Sequence, residues 1–330
     1  MSSSPTPYSD LTPDCILDAL EGAGLRPDGR LLALNSYENR VYQVGIEDAT
    51  PVVVKFYRPG RWSDAAILEE HAFAFELAER EIPVVAPVVD ADGISLHRHA
   101  EHRFAVYPRR GGRWPELDDP EVQFRLGQFI GRLHAVGEVR PFVHRPTLDV
   151  TSFGHEPARR LLDSGVIPAS HRENYRLLTG QLLARIETAF AQAGDVRILR
   201  LHGDCHPGNL LWTEGGAHIV DLDDARMGPA MQDLWMLLSG EPAEMGRQLD
   251  ELLAGYEEFR DFDRRELALI EPLRTLRMIH YAAWLAARWD DPAFPQAFPW
   301  FDSPRYWDDH ILALREQQWR LDEPPPRVSA

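Results

Sequence analysis

Three oxygen-bearing side chains pose the first chemical question. In Leu201-His-Gly-Asp-Cys-His-Pro-Gly-Asn-Leu-Leu-Trp, Asp204 and Asn209 stand five residues apart, and Asp221 follows Asn209 by twelve in Ala217-His-Ile-Val-Asp-Leu-Asp-Asp-Ala. Phosphoryl transfer needs a carboxylate that orients or deprotonates the attacking hydroxyl, and hard oxygen ligands for Mg2+ on the nucleotide phosphates. A loop bearing Asp204 and Asn209, then a hairpin that returns Asp221 to it, supplies both. The apolar runs 210–212 and 219–220 are the hairpin's expected strands. Turn chemistry accounts for any one of these Asp, Gly and Asn residues. It does not account for His-Gly-Asp, Asn and Asp falling in this order around two short apolar strands.

The elements that must position these residues fall into two regions. The first third is strand-rich: β-prone runs at 31–34, 41–46 and 52–57, a helix over 63–80 opened by Ser63 and Asp64, then further strands at 84–89, 93–96 and 102–107. After Pro108, Arg109-Arg-Gly-Gly-Arg-Trp-Pro has the composition of a connector. Helical patterns dominate beyond it, at 120–136, 170–193, 231–238, 243–259 and 264–288, interrupted by a β-like island over 198–221. The stretch 294–307, rich in aromatics and proline, reads either as a cover on the substrate side or as packing. The tail after Leu321 is expected to fray. No repeat of solenoid period is visible.

Composition excludes several classes. The 330 residues carry 35 Lys+Arg against 52 Asp+Glu, a net charge of −17. That mean field repels phosphate backbones and anionic bilayers, so no nucleic-acid or membrane partner is expected, although one basic pocket for a phosphorylated ligand remains compatible. Two cysteines, Cys15 and Cys205, make no disulfide framework. The first residues have neither the basic start nor the apolar core of a signal peptide, and no apolar run approaches a membrane span. A soluble, cytoplasmic, monomeric protein is expected.

The motifs resemble a known group. The HGDxHPGN-type loop and the Asp221-Leu-Asp-Asp run are similar to those of the aminoglycoside phosphotransferase and choline kinase branch of the protein-kinase-like fold. With Leu34-Asn-Ser-Tyr-Glu-Asn-Arg-Val-Tyr-Gln-Val, Lys55-Phe-Tyr-Arg-Pro-Gly-Arg-Trp and Asp221-Leu-Asp-Asp-Ala-Arg-Met-Gly-Pro, the sequence resembles the stress response kinase A family from about Leu34 to Trp307. The resemblance implies an α+β, bilobal protein-kinase-like fold: a small antiparallel-sheet N-lobe over 1–108 and a larger, mainly helical C-lobe over 109–330. It implies an ATP- and Mg2+-dependent Ser/Thr protein kinase acting on protein substrates. The alternative is a small-molecule kinase for an aminoglycoside-, choline- or homoserine-like acceptor.

Residue by residue, the resemblance makes Asp204 the catalytic base and Asn209 and Asp221 the magnesium ligands. Lys55 takes the place of the strand lysine that contacts nucleotide phosphates. Glu69 and Glu70 both lie on the next helix, where that lysine's glutamate partner belongs, and the spacing to Pro83 favours Glu70. Ala105, Val106 and Tyr107 stand where backbone atoms meet adenine. The phosphate-covering loop departs from protein kinases in having no glycine, so Ser36, Asn39 and Arg40 are candidate donors, and Ser36 is also a candidate regulatory position. The connection from Asp221 to Gly228-Pro229 is too short for an activation segment of the eukaryotic kind. Asp233 resembles the aspartate that anchors the catalytic loop, and it equally fits a helix N-cap. His202 is expected to orient that loop. Cys205 lacks the partners of a zinc site. Asp223 and Asp224 either support the metals or face solvent.

Overall fold

Thr12 accepts a hydrogen bond from the Cys15 N–H and Pro13 supplies a preset φ, so the first helix, α1 (Pro13–Gly22), starts there in the computed structural model, which describes residues 7–329. Ile16, Ala19 and Leu20 on its inner face pack with Val44, Val54, Phe56, Phe104 and Val106. Those residues belong to an antiparallel sheet of β1 (Pro27–Ala33), β2 (Arg40–Ile46), β3 (Val52–Phe56), β4 (His97–His99) and β5 (His102–Pro108), in the order β1-β2-β3-β5-β4. Between β3 and β4 runs α2 (Asp64–Glu79), capped by the Ser63 hydroxyl on the Ala66 N–H. Its buried face recurs at Ile67, Glu70, Ala74 and Leu77, three or four residues apart.

Two expected strands are absent. Residues 84–89 form no strand: Val84 makes a parallel bridge to Ile219, and the Val88 N–H bonds the Val106 carbonyl. Pro83 and Pro87 have no N–H to donate to a ladder. Residues 93–96 form a turn instead, because the Asp90 carboxylate accepts the N–H groups of Asp92 and Ile94.

The remaining elements are mostly helical. They are α3 (Pro120–Gly137), a π-turn at Thr151–His155, α4 (Glu156–Ser164), α5 (Ala169–Ala193), β6 (Ile198–Leu201), β7 (Leu210–Thr213), β8 (Gly216–Ile219), β9 (Arg226–Pro229), α6 (Met231–Leu234), α7 (Pro242–Tyr256), α8 (Ile270–Ala286), α9 (Ala293–Ala297) and α10 (Pro304–Arg320). β6 pairs antiparallel with β9, and β7 with β8. α3 and α7 approach backbone to backbone: a Cβ on Gly127 would stand 1.9 Å from the Leu252 carbonyl oxygen, and one on Gly255 would stand 2.0 Å from that of Phe124. The helix expected over 231–238 is α only to Leu234 and continues as a 3-10 turn. That expected over 264–288 begins as a 3-10 turn at Arg264–Leu269, because Pro272 has no N–H for an α-type bond to residue 268. Through Ser329 the expected frayed tail is held in place, and Ala330 lies outside the described residues. The Ser329 N–H and hydroxyl bond Asp250 on α7, and the Arg327 carbonyl lies against Gly246. In the stretch 294–307, Phe294, Phe301 and Trp307 are fully buried, so it packs the helical core.

The chain divides into two compact units. One comprises Met1–Pro115, Phe142–Arg145 and Gly208–Asp224; the other comprises Glu116–Pro141, Pro146–Pro207 and Ala225–Ala330. No helix of the described residues is long and apolar enough to cross a membrane.

Candidate functional site

In the first unit, the β3 register places Lys55 opposite Ala105, with Val54 and Phe56 on either side of it turned into the core. Lys55 is buried, and its Nζ lies 3.1 Å from Asp221, 3.5 Å from Glu70 and 3.6 Å from Asp223. Burial alone would depress the lysine pKa. Asp221 and then Glu70 overcome it and hold the cation well above its ordinary range. Burial pushes the Glu70 carboxyl up, and Lys55 and Arg145 offset this only in part. Burial also acts to raise Asp223, but Arg61 and Lys55 outweigh it and hold that carboxyl below the usual range.

Of the two glutamates on α2, Glu70 therefore faces the lysine. Glu69 turns away and accepts the backbone N–H groups of Val143, His144 and Arg145 at 2.6, 2.8 and 3.0 Å. The signal that separates them is in the sequence: Glu70 shares the helical stripe of Ile67, Ala74 and Leu77, and Glu69 does not.

β7 and β8 form the anticipated hairpin. The Val220 N–H bonds the Asn209 carbonyl at 3.1 Å, so Asn209 and Asp221 flank its open end. Asp221 has φ +60°, a left-handed conformation that aspartate tolerates better than most residues and that concentrates at functional sites. Its side chain is 50% exposed, although Lys55 holds one oxygen. An amide oxygen and a half-exposed carboxylate make a hard-oxygen pair suited to a small divalent cation.

The glycine-free loop is held by side chains. Asn39 donates to Asp223 at 3.0 Å and accepts from the Arg58 N–H at 3.1 Å. Ser36 donates to the Asn39 carbonyl at 3.2 Å, and Arg40 donates to the Tyr37 carbonyl at 3.1 Å. Asp223 thus faces neither solvent nor an open site. It is buried beneath Arg61, which bonds it and also reaches Asp224 at 2.8 Å. Arg145 joins from a distant loop, donating to the carbonyls of Ala66 and Asp223. Of the adenine-edge candidates, Ala105 and Val106 are buried, and the Val106 carbonyl already accepts the Val88 N–H at 2.7 Å. The Tyr107 hydroxyl pairs with that of Tyr57 at 2.9 Å, and Tyr57 meets His71 at 2.8 Å.

In the second unit, β6 runs into His202-Gly203-Asp204. Asp233 on α6 accepts the N–H groups of His202 at 2.7 Å and Gly203 at 2.8 Å, and lies 3.1 Å from His134 Nε2. Asp233 is therefore a loop anchor. Gly203 has φ +85°, which only glycine adopts without strain, and its carbonyl accepts from Gln232 at 3.0 Å. Burial depresses the His134 pKa, so the neutral ring donates from Nε2 to Asp233 and accepts at Nδ1 from the Tyr256 hydroxyl at 3.0 Å. His202 Nδ1 accepts the Asp204 N–H at 3.3 Å, which makes it an orienting group. The Asp204 carboxylate bonds the Arg277 guanidinium on α8 and stands 3.5 Å from His206 Nε2. Cys205 is buried, and burial pushes its thiol pKa well up, away from reactivity.

Sequence reasoning gave no role to Arg61, Arg145, His134, Tyr256 or Arg277. Arg61 lies inside a quoted motif; the others carry no local signal, since what gives each its place is a partner about 70 to 120 residues away.

The sequence signature of the phosphotransferase enzyme family matches residues 30–270. Stress response kinase A of Escherichia coli (strain K12) is 46% identical over 329 residues, spanning 100% of this chain and 99% of the relative. The serine/threonine protein kinase RdoA of Salmonella typhimurium is 45% identical over the same length, with 100% and 99% covered. Among solved structures, an amicoumacin kinase in complex with AMP-PNP and Ca2+ superposes with a TM-score of 0.70 at 20% identity, covering 93% of this chain and 92% of that one. That likeness is one of fold: the protein-kinase-like phosphotransferase fold with its antiparallel five-stranded sheet.

Proposed function

The chain belongs to the stress response kinase A family, a serine/threonine protein kinase group within the phosphotransferase enzyme family, and we propose that it transfers the γ-phosphoryl group of ATP to a Ser or Thr hydroxyl of a protein substrate. The observation that carries this reading is the buried Lys55, held at hydrogen-bond and ion-pair distance from Asp221 and Glu70. A lysine fixed in this way is placed to steady nucleotide phosphates, because carboxylates on several sides keep it charged and immobile.

In this reading Asp204, fixed by the Asp233-anchored loop, orients the acceptor hydroxyl and takes its proton. The Asn209 and Asp221 oxygens would hold Mg2+, whose charge neutralises the phosphate oxygens during transfer. Among the described residues no group of three or more His, Cys, Asp or Glu side chains is arranged as a metal cage. A magnesium site completed by nucleotide phosphates requires none. Ser36 lies in the loop expected to cover the phosphates, and backbone groups of Ala105–Tyr107 would receive the adenine. Residues 1–108 and 109–330 would act as the two lobes, and the enzyme would work in the cytoplasm.

The test is incubation of the purified chain with labelled ATP, Mg2+ and a generic protein substrate. Phosphoserine or phosphothreonine should form, and Asp204→Asn or Asp221→Asn should cut the rate at least about 100-fold. Label entering only small amines or sugars would overturn the protein-kinase assignment in favour of a small-molecule kinase.

A further inference from the structure

We propose that Arg277 selects the acceptor, favouring a Ser or Thr flanked by acidic residues and rejecting cationic acceptors; this rests on the protein-kinase reading above. Arg277 lies on α8 beside the buried stripe of Leu273, Leu276 and Ile279, and its side chain is 34% exposed. One N–H group reaches the Asp204 carboxylate. Guanidinium carries five donors in a planar fork, and the rest find no hydrogen-bond partner among the described residues. The other Asp204 oxygen stands 3.5 Å from His206, which is itself 38% exposed. Both oxygens of the proposed base are therefore flanked by basic side chains, in a chain whose net charge is −17.

A hydroxyl that reaches Asp204 must come within reach of the open side of the guanidinium. A carboxylate near that hydroxyl gains a charge-assisted, potentially bidentate partner. An ammonium there meets repulsion instead, which disfavours aminated sugars and choline-like acceptors as well as Lys- or Arg-flanked peptides. Holding Asp204 is the residue's positioning role; reading the flanking charge is its specificity role.

The two roles separate in one experiment. Serine peptides of one sequence, flanked by Glu or by Lys, are compared as substrates with ATP and Mg2+, and as ligands by fluorescence anisotropy with the full chain. Wild type should prefer the Glu peptide about tenfold in kcat/KM, mostly through KM, as one partly exposed pair changes from attraction to repulsion. Arg277→Lys should keep the preference, Arg277→Gln should lose it and Arg277→Glu should reverse it. A common fall in kcat with unchanged preference, or equal or absent binding of both peptides by wild type, overturns the proposal. If no peptide or protein is phosphorylated, the kinase reading fails, and the anisotropy series still decides the role of Arg277.

Discussion

Replacing Asp233 by Asn changes one oxygen to an amide in a site with no room to adapt. The carboxylate accepts the His202 and Gly203 N–H groups at 2.7 and 2.8 Å and the His134 ring at 3.1 Å. The His202 and His134 donors share one carboxylate oxygen and the Gly203 N–H uses the other, so the amide keeps an oxygen for the first two while its new NH2 group faces the Gly203 N–H. A hydrogen bond to a charged group contributes roughly 1.5–3 kcal/mol, and stranding a buried donor costs a similar amount. Losing one such bond and weakening the others should therefore cost about 3 kcal/mol locally. At about 1.4 kcal/mol per factor of ten, the opening equilibrium of the loop should rise on the order of 100-fold. Native-state hydrogen exchange reads this at the amides of residues 202 and 203, where protection should fall by that factor while the β2–β3 amides keep theirs. Asp204 sits one residue beyond this anchor, so kcat should fall with it. Protection changed by less than about threefold, with kcat intact, would refute the anchor argument.

Three further outcomes follow from other charged side chains. Lys55→Met should destabilise the fold by about 3–5 kcal/mol at neutral pH, because carboxylates are left without their cation, and the added Glu70→Leu change should restore part of it; a double variant less stable than the single one in thermal melts contradicts this. Glu266 caps the N-terminus of α6, accepting the Met231 N–H at 2.8 Å, and burial raises its pKa to about 7. Its folded pKa exceeds its unfolded one, so the folded state binds the extra proton and stability should fall between roughly pH 4.5 and 7 by about 3 kcal/mol, then level off. Glu266→Gln should flatten that slope in urea melts taken across the range, and an unchanged slope would assign it to another group. Glu69→Ala removes the acceptor of three backbone N–H groups, and amide exchange in Phe142–Arg145 should accelerate at least about tenfold, whereas Lys55-dependent nucleotide binding should weaken less than in Lys55→Met.

What could be read from sequence was what short stretches of chain decide. The β2 and β3 strands, the Ser63-capped helix and the hairpin carrying Asn209 and Asp221 each announce themselves through alternation, a cap or a turn. The strands expected at 84–89 and 93–96 failed because prolines and an Asp90-centred turn outweighed β propensity. The tail resembled a frayed end by composition, yet Asp250 gives Ser329 a partner that no local pattern encodes. The same holds at the site. Lys55 stood out by its position in a strand, whereas Arg61, Arg145 and Arg277 look like ordinary surface arginines until their distant carboxylates and carbonyls are known.

The first unit draws on three stretches of chain, so its charged centre has a history during synthesis. Lys55, Arg61 and Glu70 leave the ribosome early, and Asp223 follows Lys55 by 168 residues. At ordinary elongation rates that gap lasts roughly ten to thirty seconds. Throughout it Lys55 has only Glu70 of its three carboxylate neighbours, and Arg61 lacks Asp223 and Asp224. A ribosome stalled before residue 208 therefore releases a chain in which these cations lack Asp221, Asp223 and Asp224, which marks it as a client for chaperones or proteases.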